Sequence, residues 1–150
     1  MLLQQPRVAA EEALIECLNE GYELRRYLRD DYTERVARSA FDSDIDVPRY
    51  RAKIDKWISK AAGVMGSIFP TSLEVNRFQD VRSSLAVSYS GIDQNFGKLY
   101  HQTLPQYIDR LENIVGSDLQ RYTDLPPAQR LYVEQIDSFR CVRDVNPSMV

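Results

Sequence analysis

Apolar side chains recur along the first quarter of the chain in alternating steps of four and three. Ala10, Leu14, Cys17, Leu24 and Leu28 follow this rhythm, with Gly21 on the missing rung. That spacing is one stripe of an α-helix, so a long amphipathic helix is expected from Val8 to about Val36. Its charges are ordered as well. Glu11, Glu12, Glu16, Glu20 and Glu23 precede Arg25, Arg26 and Arg29, which complements the helix dipole. Gly21 costs up to about 1 kcal/mol in a helix interior, and close approach of a neighbouring helix is one use for it.

The stretch 38–47 is polar and rich in aspartate, and is expected to be a loop. A second helix should begin near Asp46 with Pro48 in its first turn, where a missing N–H does no harm. Tyr50, Ile54, Trp57, Ala61, Val64 and Ile68 repeat the four-three rhythm, and Phe69-Pro70 ends it. Thr71-Ser72-Leu73-Glu74 has the form of a capping box opening a third helix, with Phe78, Val81 and Leu85 inward. Leu85, Val87 and Tyr89 alternate like a short strand. With no partner strand elsewhere, 84–90 is expected to be helical, stopping at Gly91.

Asp93 can cap a fourth helix running to about Gln102. A second capping box at Thr103-Leu104-Pro105-Gln106 predicts a restart or kink. Tyr107, Ile108, Leu111, Ile114, Val115, Leu119 and Tyr122 then make a wide apolar face. After Asp124-Leu125-Pro126-Pro127 a last helix would carry Leu131, Ile136, Phe139 and Val142. The expectation is an all-α bundle of five to six helices with a long antiparallel first pair. Residues 1–150 form one domain, with 144–150 as a flexible tail or a lead into a further domain.

Composition narrows the class. With 43% hydrophobic and 27% charged residues the chain is globular rather than disordered. No apolar run approaches the roughly 20 residues that span a bilayer, and the start lacks a basic region of the signal-peptide kind. Cys17 and Cys141 are read as free thiols of a reducing compartment, and no Asn-x-Ser/Thr acceptor with a permitted middle residue occurs. A cytoplasmic protein is therefore expected. The net charge of −3 opposes binding to nucleic acid or anionic lipid outside a local basic patch.

Candidate chemistry is sparse. His101 is the one histidine, and no nucleophile signature surrounds it; Lys98 stands where a di-metal bundle would need glutamate. Asp42-Ser43-Asp44-Ile45-Asp46 matches the first ligands of a calcium loop. Val47 then replaces the turn glycine and Lys53 the bidentate glutamate, so a solvated loop whose last aspartate caps a helix is expected. No phosphate-cradling loop, Cys-x-x-Cys pair or nucleophile elbow is present, and no cofactor, metal or catalytic residue is assigned.

Two features suggest contact with other molecules. Arg49, Lys53, Lys56 and Lys60 form a basic stripe on the second helix, able to meet an anion or a partner surface, or to pair with Glu12, Glu16, Glu20 and Glu23 on the first. The nine tyrosines, among them Tyr22, Tyr107, Tyr122 and Tyr132, border the apolar faces as interface aromatics do, or as rim residues of one core do. The sequence thus favours a non-catalytic interaction or adaptor module that self-associates or serves a larger protein. A small-ligand or nucleotide sensor built on the basic stripe is the alternative, and nucleic acid is a minor reading.

Overall fold

In a computed structural model, the described residues are 2–80 and 87–123, and they form four helices with no strand. The first, α1, spans Arg7–Ala37 and buries Ala10, Leu14, Cys17, Gly21 and Leu28, the stripe set by the four-three spacing. It ends on Ser39 at φ 55°, with Ala40 N–H donating to Arg35 O and Ser39 N–H to Val36 O. These are the two bonds of a left-handed helix stop, made here by serine where glycine is usual.

The second helix, α2, spans Ser43–Ile68 and begins a turn earlier than expected. Asp42, not Asp46, is its cap: the Asp42 carboxylate accepts from Asp44 N–H at 3.0 Å. Asp46 reaches back and accepts from Asp42 N–H at 2.9 Å. This reciprocal pair fixes the helix start, so Pro48 lies inside α2 and the calcium-like segment is helical from Ser43 onward.

Contacts between α1 and α2 run in opposite numerical order. They pass from Arg35 with Asp46, through Asp31 with Arg49, to Glu20 with Lys60, and Gln5, just ahead of α1, meets Ser67 at the far end of α2. The two helices therefore lie side by side in opposite directions. Close packing is possible because a Cβ at Gly21 would stand 2.5 Å from Cζ2 of Trp57. The Trp57 indole N–H donates to Cys17 O at 2.8 Å in the same place.

The short α3, Leu73–Gln79, shows the expected capping box only on its hydroxyl side. Thr71 Oγ1 accepts from Leu73 N–H at 3.4 Å, while Glu74 is buried and accepts from the Tyr122 hydroxyl instead of reaching back to its own turn. Val81 and Leu85 lie outside the described residues, and 87–89 are not helical. Gly91, at φ 79°, turns the chain into the last described helix rather than ending one.

That helix, α4, is continuous over 94–121. It comprises α-helical Gln94–Lys98, a π turn at Leu99–Thr103, α-helical Leu104–Asn113, a π turn at Ile114–Asp118 and a final 3₁₀ turn at Leu119–Arg121. Asp93 caps it, accepting from Asn95 and Phe96 N–H. No restart occurs at Pro105: Thr103 keeps helical angles and caps nothing. The π turn, closed by Leu104 N–H on Leu99 O, absorbs the register change that the sequence suggested as a break. The two helices expected on either side of Thr103 are thus one, and the described residues hold four helices rather than the five expected up to that point or the six in all. The expected last helix, Tyr132 and Cys141 lie outside the described residues, as do 144–150.

The core runs between these helices. Leu14, Ile54, Leu99, Leu104 and Leu111 are fully enclosed. Phe96 stacks on Tyr32 with ring centres 3.8 Å apart, and Phe78 meets Trp57 and Tyr107 edge to face. Among the described residues no helix is long and apolar enough to cross a membrane.

Candidate functional site: the groove between the first two helices

Leu24 and Tyr27 on α1 and the largely buried Trp57 on the α2 stripe lie where two cylinders curve away from each other. They floor an open groove of about 330 Å³. Its borders are Glu20 on α1 and Lys53, Lys56 and Lys60 on α2. Helical spacing makes this inevitable: positions 53, 56 and 60 share a face, as do 20, 24 and 27.

The basic stripe divides into two parts. Arg49 is committed inward. Its guanidinium donates to Asp31 at 2.6 Å, to the Tyr27 hydroxyl at 2.9 Å and to Asp46 at 3.3 Å. Asp31 also accepts from the buried Tyr50 hydroxyl at 2.6 Å and from Arg35 at 3.1 Å. Burial alone would raise the Asp31 carboxyl, but the hydrogen bonds from Tyr50 and Arg49 outweigh it and hold it below the usual aspartate range. Burial and the same bond to Asp31 push the Tyr50 phenol up.

The lysines keep most of their charge at the surface. Lys60 donates to Glu20 at 2.6 Å, which raises its pKa, while Lys53 rests 4.9 Å above the Tyr27 ring. Lys56 makes no ion pair with a described residue. Of the four glutamates expected to meet the stripe, Glu20 alone does so among the described residues. Asp31, the main partner of Arg49, stands next to Asp30, and in sequence such an adjacent pair reads as a solvated helix face.

Tyr22, Tyr107 and Tyr122 each meet another residue of this domain. Tyr22 donates to Glu112 on α4, and that hydrogen bond pushes its phenol up to about 12. Tyr122 packs on Phe69 and donates to Glu74; burial, then that bond, push it up to about 12. Tyr107 is half-buried against Phe78. The tyrosine that lines the groove is Tyr27, 39% exposed; it borders its stripe as the other tyrosines do, and nothing in the sequence sets it apart from them.

Other candidate sites hold less. His101 is exposed, stacked on Tyr89 at 5.3 Å. Burial pushes the Cys17 thiol up, helped by Glu20. Among the described residues no group of three or more His, Cys, Asp or Glu side chains is placed to hold a metal ion. A second cavity of about 360 Å³ involves Arg77, Arg110, Asn113, Ile114 and Asp118. Its arginines are turned to internal acceptors: Arg110 donates to Arg77 O, and Arg77 lies 3.8 Å from Asp118.

No family model, curated protein or solved structure matches this chain.

Proposed function

We propose that this chain is a non-catalytic, cytoplasmic protein-interaction module that receives an acidic helical surface of its partner along the α1–α2 groove. One observation carries the reading. Three lysines border an apolar floor of Leu24, Tyr27 and Trp57, and only Lys60 has its charge answered by a carboxylate in the described residues. Uncompensated charge beside apolar surface matches a ligand that brings both acid groups and an apolar anchor. The groove is open along the helix axes, which suits an elongated ligand.

The test is fluorescence anisotropy with a labelled 18-residue helical peptide carrying leucines on one face and glutamates on its flanks. Saturable binding, lost in Lys53→Glu with Lys56→Glu and weakened by salt, is expected. Equal binding by wild type and variant would sink the reading.

A second reading rests on the same volume. About 330 Å³ lies at the lower end of small-ligand sites, roughly 300–1,000 Å³, and Tyr27 beside lysines suits a base and phosphates. Nucleotides would then raise the melting temperature of the wild type and not of the double variant. A flat response across a nucleotide panel removes this reading.

A further inference from the structure

We infer that the acidic surface received by the groove belongs to a second copy of this chain, giving a dimer whose twofold axis runs along the α1–α2 seam. This rests on the docking-groove reading above and names its occupant.

Several charges on this face have no ion-pair partner among the described residues. Glu12, Glu16 and Glu23 are exposed on α1 and make no ion pair with a described residue. At 100° per residue they fall within about 40° of one another, directly beside the groove-facing positions 20, 24 and 27. Lys53 and Lys56 are exposed on the opposite border. The face therefore carries an acidic column on one side of its seam and a basic column on the other.

Such a face is complementary to itself in one orientation. A twofold axis parallel to the seam exchanges left and right and preserves height, so each acidic column meets a basic one. An axis across the seam would set acid on acid. Heights also agree. Glu20 is already level with Lys60 in its own chain. Three residues further along α1 is Glu23, and four residues back along α2 is Lys56. These steps are about 4.5 and 6 Å, so Glu23 of one copy stands level with Lys56 of the other.

The apolar floor lies on the axis, where Leu24 and Tyr27 of the two copies would meet. The available footprint is sufficient. The 26 residues of α2 span about 39 Å, and two adjacent helices are about 20 Å wide. That is on the order of the ~800 Å² per partner of a standard interface. Because its polar contacts are exposed ion pairs, the dimer should be salt-sensitive.

The test is light scattering after gel filtration on the full chain, with circular dichroism confirming helical content of every variant. Wild type should run at twice the chain mass in 50 mM salt and dissociate at least about tenfold more readily in 500 mM. Lys53→Glu with Lys56→Glu, and separately Glu16→Lys with Glu23→Lys, should each be folded monomers. Mixed one to one, these two should form a heterodimer, since one now presents two acidic columns and the other two basic ones. A monomeric wild type overturns the inference, and so does a dimer indifferent to these changes or a mixture that stays monomeric. If the wild type is monomeric yet still binds the acidic peptide, the groove reading stands and only the second copy is excluded. If it binds neither, both fall.

Discussion

The Trp57 indole lies over the bare backbone of Gly21, so close that a Cβ there would stand 2.5 Å from Cζ2. The ring has no freedom to retreat, because its N–H is held by Cys17 O. Gly21→Ala gains up to about 1 kcal/mol in helix propensity, yet forces an overlap of the kind that costs typically about 1–3 kcal/mol. The expected net is a loss of stability in urea unfolding, with a blue- or red-shifted Trp57 emission as the ring is displaced. A more stable variant would show that the helices can part without cost.

Asp31 gathers Tyr50, Arg49 and Arg35 at the loop end of the pair. Its folded pKa lies below the ordinary value of 3.8. The carboxylate therefore contributes stability that is complete above that unfolded value and lost as pH falls through the depressed folded one. Asp31→Asn should cost about 1.5–3 kcal/mol at neutral pH, the range of hydrogen bonds to charged groups. It should also flatten the stability curve below about pH 4, read by urea titrations at several pH values.

Glu74 is 2% exposed, and its Oε2 has no hydrogen-bond partner among the described residues. The Tyr122 hydroxyl serves the other oxygen. Tyr122→Phe should therefore cost about 1–3 kcal/mol, because a buried acceptor is left unmet. Made in a Glu74→Leu background the same change should cost little. Equal losses in both backgrounds would mean that the tyrosine contributes by ring packing alone.

Ser39 holds φ 55° at the end of α1. Ser39→Gly should stabilise by about 0.5–1 kcal/mol, since glycine enters that region without a Cβ penalty. A thermal melt that fails to rise would show that the serine side chain contributes an interaction worth as much as the strain.

The sequence revealed α1 and α2 because both obey a single period from end to end. It also located the basic stripe, Gly21 and the Asp93 cap, all of which depend on local spacing. What it concealed depended on through-space partners. Glu74 satisfied the spacing of a capping box, but a tyrosine 48 positions away draws its carboxylate inward. The Asp31 cluster and the Tyr27 wall of the groove likewise exist only once α1 lies against α2. In α4 the signal was present in a less familiar form. Its buried residues step from Leu99 to Leu104 and from Ile114 to Leu119 in fives. These are the intervals that π turns accommodate, and a reading confined to threes and fours takes the first for a break.

The π turns have a consequence for how the chain tolerates change in length. A π turn is an α-helix holding one surplus residue. Removing that residue returns the local ladder to its common form and leaves everything downstream facing as before. Gly116 lies in the second turn, exposed, with open space where a side chain would be. Its deletion should leave a folded protein with a cooperative thermal transition. Deleting Asp109, in the regular stretch, would swing Leu111 and all that follows by about 100° and should abolish that transition. The helix thus carries spare length at two marked places and none between them.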